Sequence, residues 1–410
     1  MSLGRRLLFA TVCAVSVATI YSAQPVLTQI GNDLDVSGAA LGWIVTAGQL
    51  GYLAGLVLLV PLGDMMDRRK LIVGHLLLTA VGVVIAASAT RAWVMLAGVA
   101  VAGLFAVVVQ TTVAYAAAVS APQERGRTLG LVTSGVVIGI LGARVVGGAL
   151  AAVWGWRSVY VVWAVLLIVL AFLVLRLLPT DARADRAEYR QVLNASRRLF
   201  GEQLFLSRGL IALFLFASFG ALWSGLALPL EASPWHLSTA QVGLFGIAGL
   251  AGALGAGRAG RWADDGFAST VTGAALVLLA VSWLATAQGS WSLWLLVVGV
   301  IVLDFAVQAV HVSNQHLLTA GHPDRTSSVI GSYMLFYSVG SALGAVTTTA
   351  VYSVAGWAGS SVLGAAFAIG ALVVWATSRR VAQPSVITAE SAVRVPPRAP
   401  LGRRPKPRTV

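Results

Sequence analysis

Residues 161–175 and 273–287 read as almost continuous hydrocarbon. Runs of that kind can be neither left in water nor folded into strands that alternate between two faces, so they fix the solvent before they fix the fold. A helix crossing a bilayer needs about 20 mostly apolar residues. With 58% of 410 residues hydrophobic, the chain holds enough for about twelve crossings and little besides. Only 10% of residues are charged, against roughly a quarter in soluble domains. A transmembrane β-barrel would show short alternating segments instead of long apolar runs. The expected fold class is an all-α polytopic membrane protein.

Windows of about 20 residues place twelve spans at 6–28, 39–61, 71–90, 93–118, 129–152, 157–178, 209–230, 239–258, 270–288, 292–317, 328–352 and 357–378, numbered 1 to 12 in chain order. Of the 28 Lys and Arg, 25 fall in the two termini and the alternate loops that share their side. Arg91 and Arg157 fall on the other side, and Arg144 lies inside span 5. Basic residues are kept on the cytoplasmic face of a bilayer, so both termini are predicted to be cytoplasmic. The net charge of +13 is then orientation signal plus a basic tail, and requires no nucleic-acid partner.

Composition divides the chain into a six-helix bundle at 1–178, a linker at 179–208, a second six-helix bundle at 209–378 and a tail at 379–410. The linker is rich in Arg, with Asp181, Asp185, Glu188 and Glu202 interspersed, which suits an amphipathic cytoplasmic segment. The tail, with eight basic residues and one acid, Glu390, is too polar to bury a core. It is expected to be disordered, either touching anionic headgroups or inert. Arg5 and Arg6 before an apolar stretch outline a signal peptide, but the stretch is too long and no cleavage site follows, so it is predicted to stay as span 1. The single cysteine, Cys13, forms no intrachain disulfide and reads as packing.

The second half repeats the first. An offset of 201 aligns Pro122 with Pro323, Gly130 with Gly331, Gly139 with Gly340, Gly155 with Gly356 and Trp156 with Trp357, and an offset of 200 aligns Asp64 with Asp264 and Arg125 with Arg325. Parallel repeats of six helices belong to transporters whose halves move about a central site near the midplane. The loop Gly63-Asp64-Met65-Met66-Asp67-Arg68-Arg69-Lys70 resembles the signature loop of the major facilitator superfamily. Span 5 carries Gly130, Gly139, Ala143-Arg144 and Gly147-Gly148, similar to that superfamily's antiporter motif with Ala-Arg where Gly-Pro is usual. The segments Tyr21-Ser22-Ala23-Gln24-Pro25, Gly139 through Arg144 and Asp304 through Gln315 resemble a bacterial inner-membrane subgroup labelled drug:proton or sugar efflux proteins. Val99 stands where efflux members usually have an arginine in span 4, so a proton role for such an arginine does not carry over.

At membrane depth each charge costs roughly 2.5–3.5 kcal/mol, which makes Asp304 and Arg144 the informative residues. Asp304 lies near the middle of span 10, and Gln308, His311 and Gln315 follow at intervals of four, seven and eleven, on one helical face. The stripe faces either a water-filled cavity or neighbouring helices. Interhelical hydrogen bonds are worth only about 0.6 kcal/mol each, and a carboxylate is an expensive choice for that purpose, which favours the cavity. There a carboxyl alternating between dry and wet surroundings takes up and releases a proton, so Asp304 is the candidate for proton coupling. His311 is a relay or substrate contact, or a neutral histidine bonded to a neighbour; His311 and His316 point in different directions and form no metal site. Arg144, about 12 Å from the end of span 5, either snorkels, pairs with Asp304 or Glu231, or holds an anion.

The resemblance implies the major facilitator fold and adds cavity residues on the spans that line the superfamily's centre: Tyr21, Gln24 and Thr28, Gln110 and Tyr115, Phe219 and Trp223, then Tyr337 and Ser341. Aromatics with a few amides suit an amphipathic organic molecule. Gly63, Asp64, Arg68 and Arg69 are expected to form a cytoplasmic gate, or to serve topology alone. The resemblance also pairs span 2 with 11 and span 5 with 8 across the halves. Gly51 and Gly55, Gly340 and Gly344, Gly135 and Gly139, and Gly246, Gly249, Gly252 and Gly255 are therefore expected at those interfaces, as smooth surfaces for close approach.

No phosphate-cradling loop, nucleophile triad or metal cluster occurs, which disfavours an ATP-driven pump, an enzyme and any cofactor. The expected function is secondary active transport: proton-coupled efflux, by antiport, of a small amphipathic molecule. The expected setting is a monomer in the bacterial inner membrane, with substrate, protons and lipid as partners. Uptake symport and passive facilitation are the near alternatives, and a receptor or scaffold on the same fold is the distant one.

Overall fold

Hydrocarbon offers no partner to a free N–H or C=O, so a chain of this composition must satisfy its backbone within each crossing. The computed structural model describes residues 1–121, 124–180, 198–255, 267–321 and 326–381, and these are helices joined by short connections. Pro122, Pro323, Arg325, Asp264, the side chain of Asp64, most of the linker and nearly all of the tail lie outside the described residues. Ten of the described helices are long and apolar enough to cross a membrane; one, Val329–Ser378, contains spans 11 and 12. The apolar helix Thr239–Gly255 is span 8. All twelve predicted spans are present.

Several boundaries differ from the sequence reading. Span 1 is helical over Leu3–Tyr21, then yields to a 3-10 turn at Gln24–Val26 and a second helix at Leu27–Leu34. Pro25 has no N–H with which to continue the ladder. Span 4 is split into Ala92–Phe105 and Val108–Ala118. Span 7 begins at Gln203, so Arg208, counted above with the linker, is inside a membrane helix. Span 3 begins where the Asp67 carboxylate accepts the N–H groups of Arg69 (2.8 Å) and Lys70 (3.3 Å), satisfying donors that a helix start leaves open.

Spans 1–6 pack into one bundle and spans 7–12 into another. The repeat extends to backbone conformation. Gly155 between spans 5 and 6 has φ 78° and ψ 164°, and Gly356 between spans 11 and 12 has φ 60° and ψ −160°, a region essentially reserved for glycine. Each is followed by a tryptophan tied to a neighbouring helix end: Trp156 Nε1 donates to Asp33 (3.2 Å) and Trp357 Nε1 to the Thr286 carbonyl (2.8 Å). The same offset relates Asp35 (φ 54°) to His236 (φ 48°), the two non-glycine residues with positive φ among those described.

The halves meet where span 5 lies on span 8 and span 2 on span 11, as the resemblance implies. The glycine assignment needs correction. Gly135 and Gly139 face Ala10 and Ala14 of span 1, Gly51 and Gly55 face Ala100 and Leu104 of span 4, and Gly340 and Gly344 face Leu213 and Ala217 of span 7. Gly252 faces Ile301 of span 10. These pairs hold each half together, where close backbone approach is the main source of helix attraction in lipid. The cross-half positions are Gly42, Gly148, Gly243 and Gly246: a methyl on Gly148 would sit 2.6 Å from the Thr239 carbonyl, and one on Gly246 would sit 2.6 Å from that of Leu141.

The contact is lopsided. We call the end that bears Arg5, Arg6 and Arg68 to Lys70 the basic end. Among the described residues, hydrogen bonds between the halves run from the midplane to the opposite end: Gln29 to Thr239 (2.7 Å), Gly42 N to Thr349 (3.1 Å) and Thr46 to the Ala342 carbonyl (3.0 Å). Toward the basic end, methyls on Gly130 and Gly331 would meet nothing within 4 Å. Among the described residues, the contacts that join the halves are gathered from the midplane to the end opposite the basic one.

Gly155→Ala and Gly356→Ala should each cost about 1–3 kcal/mol, read as a lower melting temperature of the purified protein. An added methyl meets nothing within 4 Å at either site, so the loss would report the backbone alone, and an unchanged melting temperature would show that the turn relaxes freely.

Candidate functional site

Span 10, helical over Leu293–Gly321, carries Asp304 into the region between the halves, where it is 1% exposed. Gly249 of span 8 makes room for it: a methyl there would lie 3.1 Å from Asp304 Oδ2 and 2.7 Å from the Trp223 ring. Asp304 Oδ2 has no hydrogen-bond partner. Arg144, also 1% exposed, lies over the same indole, its guanidinium 3.8 Å from the centre of the Trp223 ring, 5.5 Å from that of Phe219 and 5.6 Å from that of Tyr21. Arg144 Nε donates to Gln24 Oε1 (3.1 Å) and Nη1 to the Ile140 carbonyl (2.9 Å), while Nη2 has no partner. The guanidinium is turned inward and does not snorkel.

Arg144 and Asp304 feel each other electrostatically, yet no ion pair within 4 Å joins them among the described residues. A desolvated cation–π contact supplies about 2 kcal/mol, less than the several kcal/mol lost when a charge leaves water. The centre is therefore incompletely compensated, with an acceptor and a donor both open. Glu231 accepts instead from Thr239 (3.4 Å).

Around this pair the halves are stitched by side chains from both. The hydroxyls of Tyr21 and Tyr337 are hydrogen-bonded, and Gln24 Nε2 donates to Ser224 (3.5 Å). Tyr21, Gln24, Arg144, Trp223, Asp304 and Tyr337 thus converge. Gln308, His311 and Gln315 continue from Asp304 toward the basic end, half-buried. His311 Nδ1 meets the Tyr333 hydroxyl at 3.2 Å and its Nε2 meets Gln315 Nε2 at 2.9 Å.

Other sequence candidates lie elsewhere. Gln110 donates to Tyr52 (2.9 Å) inside the first half. Tyr115 donates to the Pro179 carbonyl (2.5 Å) and sets its edge on Phe9, apart from the Arg144 cluster. Arg68 Nε bonds the Gly63 carbonyl (3.1 Å) and Arg69 the Leu175 carbonyl, partners within the first half. Three contributors were missed. Gln49 of span 2 is 1% exposed and lies against the Tyr21 hydroxyl, and its signal was an amide in an apolar helix. Ser224 has too common a side chain to stand out. Phe216, 4.0 Å from Tyr337 and 5.2 Å from His311 between ring centres, carried no signal at all.

Two helical repeats around an incompletely compensated polar centre, closed at one end, define a membrane transporter of the two-bundle type. The family model described as Major Facilitator Superfamily matches residues 7–232, and the chain belongs to that superfamily. It is 41% identical over 369 residues to the uncharacterized transporter YgaY of Escherichia coli O157:H7, covering 90% of this chain and 94% of the relative. It is 32% identical over 184 residues to the chloramphenicol resistance protein of Streptomyces lividans, covering 44% and 46%. The crystal structure of a bacterial homologue of the human lysosomal transporter Spinster, inward-facing and unoccupied, shares the fold with a TM-score of 0.78 at 16% identity, covering 93% of this chain and 98% of that one.

Arg144→Gln should leave the melting temperature unchanged or raise it, because a partly unpaired buried charge is removed. Arg144→Lys should stack less well on Trp223, since a planar guanidinium becomes a compact ammonium. A marked fall in melting temperature with both substitutions would make Arg144 a structural strut.

Proposed function

We propose that the protein is a proton-coupled antiporter that exports a small amphipathic organic molecule by alternating access, as a monomer in a bacterial inner membrane with its basic end in the cytoplasm. One observation carries this: Asp304 Oδ2 of the second half and Arg144 Nη2 of the first are both buried and without a hydrogen-bond partner, and both lie beside the Trp223 side chain. A ligand offering a polar group and an apolar face competes for that ring and those open atoms. A proton on Asp304 removes one of the two charges, so proton and substrate each alter the site that the other meets. The positive-inside pattern supports the orientation, and the name of the Streptomyces lividans relative supports export of a small organic molecule.

In this reading the conformation is inward-open, with the far side closed at Gly148, Gly243 and Gly42. Gly63, Asp64, Arg68 and Arg69 form the gate that closes the opening, Asp64 accepting charge-assisted hydrogen bonds from a basic side chain or a helix start of the second half. Such contacts exist in one conformation only and so bias the equilibrium between states.

Inside-out vesicles with an acid interior should accumulate the substrate, with chloramphenicol the first compound to try. Asp304→Asn should insert normally and abolish accumulation against the gradient while binding persists. Accumulation by Asp304→Asn equal to the parent would overturn the reading, and accumulation without any pH dependence in the parent would favour facilitation. In a second experiment, Asp64→Asn should slow transport and increase alkylation of Gln315→Cys from the cytoplasmic side. Unchanged rate and labelling would reduce the loop to a topology signal.

A further inference from the structure

Ten residues along span 10 from Asp304, about 15 Å at 1.5 Å per residue, a second polar cluster lies toward the basic end. Arg208 of span 7 is 7% exposed, and neither its Nε nor its Nη1 has a hydrogen-bond partner. Asn314 of span 10 is fully buried with neither Nδ2 nor Oδ1 partnered. Both border the hydroxyl of Tyr333 on span 11, which also meets His311 at 3.2 Å. No described carboxylate pairs with Arg208. A buried guanidinium with open donors is costly, and an amide whose neighbour among the described residues is the Tyr333 hydroxyl adds to the cost. Such an arrangement is kept where something else completes it.

We propose that Arg208, Asn314 and Tyr333 form an entry site for the anionic head of the transported molecule, a carboxylate carried on an aromatic or otherwise apolar body. The proposal rests on the transporter reading above and narrows its substrate class. One guanidinium with neutral amide and phenol donors matches a single negative charge and the planar fork of a carboxylate; a phosphate dianion would leave one charge unmatched. The walls suit the body. Phe205 and Phe336 stand edge to face at 6.0 Å, and Phe216 packs against His311 and Tyr337 toward the centre, so aromatic rings run from this cluster to the other. There the open Nη2 of Arg144 offers a second guanidinium, so an acid entering at Arg208 finds its next counter-charge along the same lining.

Benzoate is the probe, with the full chain in phosphatidylcholine nanodiscs, no pH gradient, and binding read by calorimetry. Benzoate should bind saturably, Arg208→Gln should weaken it at least tenfold, and Arg208→Lys should recover part of the loss. Asn314→Leu should weaken it about threefold. The melting temperature of Arg208→Gln without benzoate should stay level or rise. Inorganic phosphate and phosphatidylglycerol in the disc should displace benzoate poorly. Absence of saturable binding, or equal binding by Arg208→Gln, overturns the proposal. Arg208-dependent binding of phosphate or phosphatidylglycerol in its place gives the site to those ligands instead. Loss of binding with a large fall in the melting temperature of both Arg208→Gln and Asn314→Leu makes the cluster structural. Since no proton gradient is applied, failure here leaves coupling at Asp304 untouched, and failure of coupling leaves this result standing.

Discussion

Backbone laid against backbone at glycine is the contact on which the rest of this molecule depends. Lipid tails compete equally for apolar side chains, so helices in a bilayer gain little from burying leucine against leucine and gain instead from approaching closely. Gly135 and Gly139 bring span 5 onto span 1, Gly51 and Gly55 bring span 2 onto span 4, and Gly340 and Gly344 bring span 11 onto span 7. These pairs make each half a tightly packed body. Between the bodies the close approaches are fewer and gathered at one end, which leaves the interface as the place where the molecule can change.

The polar centre exploits that division. Arg144 comes from the first half and Asp304 from the second, and the indole beside both belongs to span 7. Neither charge is fully satisfied where it stands. A pair locked at hydrogen-bonding distance would bind the halves in one arrangement, whereas two charges with no ion pair within 4 Å hold them more weakly. The hydroxyl contact of Tyr21 with Tyr337 and the long bond from Gln24 to Ser224 have the same quality, crossing the seam without closing it.

Much of this was legible in the sequence because hydrocarbon punishes error. Twelve spans could be counted since each must be long and apolar, and Asp304 and Arg144 stood out since a charge at depth is costly. What glycine does was legible only in part. Its lack of a side chain announces close approach without saying to which helix, and so Gly135, Gly51 and Gly340 were assigned across the halves when they serve within them. Tyr115 failed for a related reason: an aromatic on a central span has several faces to choose from, and this one turns to Phe9 and Pro179. Arg208 was hidden by position. It sits at the edge of an apolar window beside an Arg-rich linker, where a buried cation and a solvated one look alike.

Asp35 and His236 share neither charge nor shape, yet each holds the chain in a left-handed turn at the same place in its half. Two units built on one path can differ in residue identity wherever the peptide path itself is kept. The two positions share in dihedral angle a likeness that their letters do not show. Comparison of the halves by backbone conformation therefore finds likeness where comparison by residue does not, and it sets off the places where the halves differ in chemistry: Arg144 in span 5 where span 11 has Ala345, and Asp304 in span 10 where span 4 has Gly103.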